Sequence, residues 1–100
     1  MAKWINSPLA VGGTAAPLPA AATDLNGSAP SYLYITVEDN PVRIRVDGTA
    51  PASGGPTGRV YVAGATEEFD LRKDPTLAAD FRAIEETPGS AAVIQIAARF

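Results

Sequence analysis

From Tyr32 to the last residue, apolar and polar positions alternate with a period of two. In "YLYITVE", Leu33, Ile35 and Val37 fall on one face and Tyr32, Tyr34, Thr36 and Glu38 on the other. "VRIRV" repeats the pattern, with Val42, Ile44 and Val46 inward and Arg43 and Arg45 outward. "RVYV" sets Val60 and Val62 against Arg59 and Tyr61, and "EFDLR" sets Phe69 and Leu71 against Glu68, Asp70 and Arg72. "AVIQIAARF" sets Ile94, Ile96, Ala98 and Phe100 against Val93, Gln95, Ala97 and Arg99. Successive side chains of a strand point to opposite faces, so each run reads as a strand with one buried side. Gly, Pro, Asn and Asp clusters separate the runs. Short alternating strands at this spacing predict an all-β fold, a small antiparallel β-sandwich or barrel.

The stretch "ITVEDNPVRIRVDGTAP" reads as a hairpin whose connection is residues 38–41. Pairing Val37 with Val42 places Ile35 opposite Ile44 and Leu33 opposite Val46, so all six apolar side chains share a face. On the other face Thr36 meets Arg43 and Tyr34 meets Arg45. Asp47 and Gly48 begin a second turn. A helical turn is expected near residues 75–79, with Asp74 as its N-cap and Pro75 at its first position. A strand follows over residues 81–85, and "TPG" ends it. At most one short helical turn is therefore predicted.

Residues 1–31 have a different character. They are rich in Ala, Gly and Pro and carry only Lys3 and Asp24 as charges. Strand potential is confined to Leu9–Val11 and the region of Leu18. Pro8, Pro17 and Pro19 deny a regular helix and restrict any strand to an edge. The predicted organisation is an extended N-terminal arm over residues 1–31 and a β domain over residues 32–100. The arm either frays, or lies on a neighbouring subunit with Trp4 and Ile5 as its anchor, or returns Trp4 to its own core.

Composition narrows the chemistry. The chain has 100 residues, 46% of them apolar and 19% charged, enough for one domain with a modest core. It contains neither cysteine nor histidine. Disulfides, thiolate or imidazole metal sites and His- or Cys-based nucleophilic machinery are thereby excluded. The net charge is −3 and the basic residues are dispersed, which argues against nucleic acid as a partner. No apolar run approaches a membrane span, and the N-terminus lacks the apolar core of a signal peptide. A cytoplasmic protein, or one built into an assembly made there, is expected.

Three chemical readings of the polar stretches are weak. Glu38, Asp39, Asn40 and Asp47 offer hard oxygens, but "EDNP" lacks the spacing of a calcium loop. Glu38–Asp39 and Glu67–Glu68 are adjacent along strands, so each pair diverges instead of converging as a glycosidase pair must. The Gly-rich "GTAPASGGPTGR" lacks the Lys of a phosphate-binding loop and reads as a surface loop, with contact to a partner as its alternative. No catalytic, metal or cofactor residue is predicted. The candidate residues are those of a partner interface: Trp4, Ile5, Pro8 and Leu9 in the arm, and Tyr32, Tyr34, Arg43, Arg45 and Tyr61 on outward faces. The outward tyrosines also suit a carbohydrate-binding module, or simple cross-strand packing.

The run from "YITVEDNPVRIRVDGTAP" through Ala63–Gly64 and "FRAI" (Phe81 to Ile84) to the closing apolar strand resembles small virion structural proteins of tailed bacteriophages. The resemblance spans roughly residues 9–100, and its motifs are structural instead of chemical. The loop after Pro51 departs from the pattern by carrying more Gly and Pro. What the resemblance implies is a capsid decoration or cement subunit that binds the major capsid protein and stabilises the particle. A neck or tail accessory protein is the alternative. It further implies residence in the virion, no cofactor and a homo-oligomer, a trimer by analogy with capsid lattices.

Overall fold

The computed structural model describes residues 3–100. Seven strands form two antiparallel sheets. They are β1 (Trp4–Val11), β2 (Tyr32–Val37), β3 (Val42–Arg45), β4 (Arg59–Tyr61), β5 (Thr66–Asp70), β6 (Arg82–Glu85) and β7 (Ala92–Arg99). One sheet has the order β1-β7-β2-β5 and the other β4-β3-β6. A short helix, α1 (Leu77–Asp80), precedes β6, and a 3-10 turn occupies Ala20–Ala22. The predicted all-β class and the predicted helical turn both hold; the 3-10 turn is an addition.

The core lies between the sheets. Val11, Leu33, Ile35, Val37, Ile94, Ile96 and Ala98 face it from the larger sheet, and Val42, Ile44, Tyr61 and Ala83 from the smaller. Phe81, Leu71 and Leu77 complete it from the segments around α1. The alternation in β2, β3 and β7 therefore sorts inside from outside as the sequence predicts.

Strand pairing departs from prediction. Residues 38–41 do not close a hairpin: β2 pairs with β5 and β7, β3 pairs with β4 and β6, and the connection crosses from one sheet to the other. Thr36 therefore does not meet Arg43, nor Tyr34 Arg45. Two side chains fix the corner. Asp39 Oδ1 accepts the Val93 N–H at 3.2 Å, and Asn40 Nδ2 donates to the carbonyls of Ser90 and Ala91 at 3.2 and 2.7 Å. Asp39 and Asn40, two of the four residues that offered hard oxygens for a calcium loop, instead tie two sheet-crossing corners together. Glu85 does the same from inside: its buried carboxylate accepts the N–H groups of Gly89 and Ala91 at 2.7 and 2.9 Å.

The N-terminal segment is not a separate arm. β1 pairs with β7 from Trp4↔Arg99 to Val11↔Ala92, and Val11, Leu18 and Ala22 are buried in the common core. Ile5, Ser7, Leu9 and Val11 turn inward, while Trp4, Asn6, Pro8 and Ala10 are exposed. Pro8 sits on an edge strand, where proline is tolerated. Past β1 the chain crosses to the other sheet: Ala16 and Ala83 exchange both backbone hydrogen bonds, and Glu85 N–H donates to the Gly12 carbonyl. Met1 and Ala2 lie outside the described residues.

Two further corrections concern single side chains. Val46, Val60 and Val62 are exposed instead of inward, and Tyr61 is buried. Asp74 is not the helix N-cap and Pro75 does not open the helix. Thr76 is the N-cap, while the Asp74 carbonyl accepts the Leu77 N–H at 3.2 Å.

Candidate functional site

The two outer faces of the sandwich differ. On the smaller sheet, residues 46–58 fold back over it. Arg43 Nε and Nη2 donate to the two Glu86 carboxylate oxygens at 2.7 and 2.8 Å, and Nη1 donates to the Thr57 carbonyl at 3.2 Å. Glu86 also accepts a backbone hydrogen bond from Gly54. Arg43 in turn holds the Glu86 carboxyl below the ordinary carboxylate range, principally by hydrogen bonding. Pro51 is buried, and Ile84, in register with Arg43, is covered as well. The Gly/Pro-rich loop is thus a partial lid over the Arg43 and Ile84 positions of its own sheet, while Val60, in register with Arg43, stays 40% exposed.

Arg45 and Tyr61 are also committed locally. Arg45 forms a forked pair with Asp47, whose Oδ1 also accepts the Thr49 N–H at 3.1 Å. The Arg45 hydrogen bond and this backbone donor lower the Asp47 carboxyl to about 2. Tyr61 donates to Glu67 at 3.1 Å, Arg59 pairs with the same carboxylate at 2.9 Å, and the Arg59 guanidinium lies 4.9 Å over the Tyr61 ring. This cluster joins the β4 and β5 edges across the open side of the sandwich. Burial, then Glu67, pushes the Tyr61 phenol up.

On the larger sheet no segment among the described residues covers the outer face. Registers place its side chains in ranks across the four strands. Trp4, Arg99, Tyr32 and Asp70 form one rank; Asn6, Ala97, Tyr34 and Glu68 the next; Pro8, Gln95, Thr36 and Thr66 a third. The Trp4 and Tyr32 rings meet edge to face, 6.1 Å apart at 80°, a favourable aromatic geometry. The short Ala97 side chain leaves a hollow beside them. Trp4, Tyr32, Tyr34, Glu68, Ala97 and Arg99 enclose a pocket of about 420 Å³. Trp4 remains 48% exposed and Tyr34 38%. Glu68, the hydrogen-bond partner of the Tyr32 hydroxyl, with burial second, raises the Tyr32 phenol to about 12. Neither Glu68 nor Arg99 takes part in an ion pair among the described residues.

Four of the nine sequence-predicted residues therefore share one face: Trp4, Pro8, Tyr32 and Tyr34. Ile5 and Leu9 turn toward the core, and Arg43, Arg45 and Tyr61 belong to the other sheet and its lid. The sequence alone does not single out Glu68, Ala97 and Arg99 as site residues. The alternation already put them outward; what it lacks is the strand order that seats β7 between β1 and β2.

The class defined here is a small antiparallel β-sandwich with one partly covered face and one aromatic face that no described segment covers. No family model, curated protein or solved structure matches the chain. Among the described residues no helix is long and apolar enough to cross a membrane.

Proposed function

We propose that this protein is a non-catalytic structural component of a tailed-bacteriophage virion, a capsid decoration subunit that docks on the major capsid protein through the bare face of its larger sheet. The observation that carries this reading is the cluster of exposed Trp4 and Tyr34 with Tyr32 on a sheet face that no described segment covers. Trp and Tyr supply large contact area at small entropic cost and concentrate at interface hot spots. The lid over the smaller sheet directs contact to the opposite side. A neck or tail accessory role would use the same surface. Self-association, a trimer by analogy, belongs to the same proposal.

The test is binding of the purified chain to phage heads assembled without it. The wild type binds and raises the temperature at which heads release DNA. Trp4→Ala/Tyr34→Ala keeps its fold and loses binding about tenfold or more. Heads that ignore the wild-type chain would refute the proposal.

A second reading, a carbohydrate-binding module, is favoured by the pocket itself. A sugar ring would stack on the aromatic walls, with hydroxyls donating to Glu68 and accepting from Arg99. Binding on a glycan array that is lost in Tyr34→Ala, with no affinity for heads, would favour this second reading.

A further inference from the structure

The sandwich has four edges, and three are closed or guarded. Residues 12–16 bond along β6. β5 carries Glu67, Glu68 and Asp70, and β4 is only three residues long. β1 is different: eight residues, an edge position, and no charged side chain from Trp4 to Val11. Natural edge strands are ordinarily blunted by charge, brevity or cover, because unpaired backbone groups invite another strand.

The phase of the ladder shows which groups are unpaired. Lys3 and Phe100 exchange both hydrogen bonds, at 3.2 and 2.8 Å, so odd-numbered residues of β1 bond to β7 along the continuous register. The N–H and C=O of the even-numbered residues then point away from the sheet. Trp4, Asn6 and Ala10 present these groups without a backbone partner among the described residues. Pro8 occupies an even position, so its missing N–H falls on the open side, and it limits the usable edge to the Trp4–Asn6 end.

We infer that an extended, largely uncharged segment of the partner protein adds as a strand to the outer edge of β1 at Trp4 and Asn6. This inference rests on the docking reading above and deepens it. Main-chain hydrogen bonds to Trp4 and Asn6 supply register, and the Trp4 ring and the adjoining pocket receive an apolar side chain of the added strand. The bare face and the open edge are continuous at Trp4, so one partner segment contacts both.

The experiment uses the full chain and heads assembled without it. Asn6→Pro deletes one outward N–H and leaves the β7 ladder whole; Asn6→Ala deletes only the side chain. Asn6→Pro is expected to weaken head binding about tenfold, with an unchanged melting temperature, and Asn6→Ala, which keeps the outward N–H, to weaken it clearly less. Hydrogen exchange on the unsubstituted chain supplies a second readout: the Trp4 and Asn6 amides exchange fast when free and are protected on heads. If heads bind the chain but Asn6→Pro is neutral and both amides stay unprotected, strand addition is overturned while face docking stands. If nothing binds, both fall. If sedimentation shows a dimer that Asn6→Pro dissolves, the edge belongs to a second copy and the inference is overturned.

Discussion

Tyr32 and Glu68 are diagonal neighbours on adjacent strands of the larger sheet, and Glu68 is the main cause of the raised Tyr32 phenol. Replacing Glu68 by Gln removes the charged acceptor, so the Tyr32 phenol is expected to titrate below the wild type's value of about 12 in a phenolate-absorbance titration, with burial and Asp70 still holding it up. A titration curve identical in Glu68→Gln and the wild type would deny the contact. Asp47 works in the opposite direction. Its folded carboxyl lies at about 2 against an ordinary 3.8, so the unfolded chain binds the proton first as pH falls. Its contribution is complete above pH 3.8 and disappears as pH drops through about 2. Asp47→Asn is expected to flatten that part of the plot of melting temperature against pH. At this scale the sequence is informative about facing and poor about partners. Arg43 and Arg45 are outward as alternation requires, yet their partners, Glu86 and Asp47, depend on a loop path that no local pattern encodes. Tyr61 inverts its expected facing because Glu67 accepts from its hydroxyl and the Arg59 guanidinium covers its ring at a sandwich edge.

Among elements, β1 holds the largest surprise. Its polar Ser7 and its Pro8 hide the alternation Ile5–Ser7–Leu9–Val11, and an Ala/Pro-rich flank disguises an integral edge strand as an arm. Removing residues 1–11 takes Leu9 and Val11 from the core and bares the β7 edge. The truncation is expected to lose about 3 kcal/mol or more in urea denaturation; unchanged stability would show that β1 is only loosely docked. The lid formed by residues 46–58 depends on Arg43. Arg43→Ala is expected to leave the strands folded while amide exchange at Gly54 rises, and a loop as protected as before would mean that the guanidinium does not hold it. The period of two locates strands but does not pair them. Residues 38–41 are consistent with a hairpin or with a sheet-crossing corner, and what decides is Asp39 and Asn40 bonding to residues some 50 positions away.

At the scale of the molecule, the sandwich is asymmetric: lid, small sheet, core, large sheet, and then an open aromatic face. Fold class is legible from residues 32–100 alone, because every core-facing side chain of β2, β3 and β7 follows the alternation. The site is legible only in part. Trp4 and Tyr34 are recognisable as exposed aromatics, but 30 residues separate them, and only β7, from the far end of the chain, brings their strands into one sheet. The asymmetry gives the docking proposal its direction, since a subunit bound through the bare face turns its lid toward solvent. A cryo-EM map of the virion tests this most directly. Density for the sandwich is expected on the particle, with Trp4, Tyr32 and Tyr34 against a neighbouring protein and residues 46–58 pointing outward. A particle without this chain, or one that holds it by the lid with the aromatic face in solvent, would contradict it.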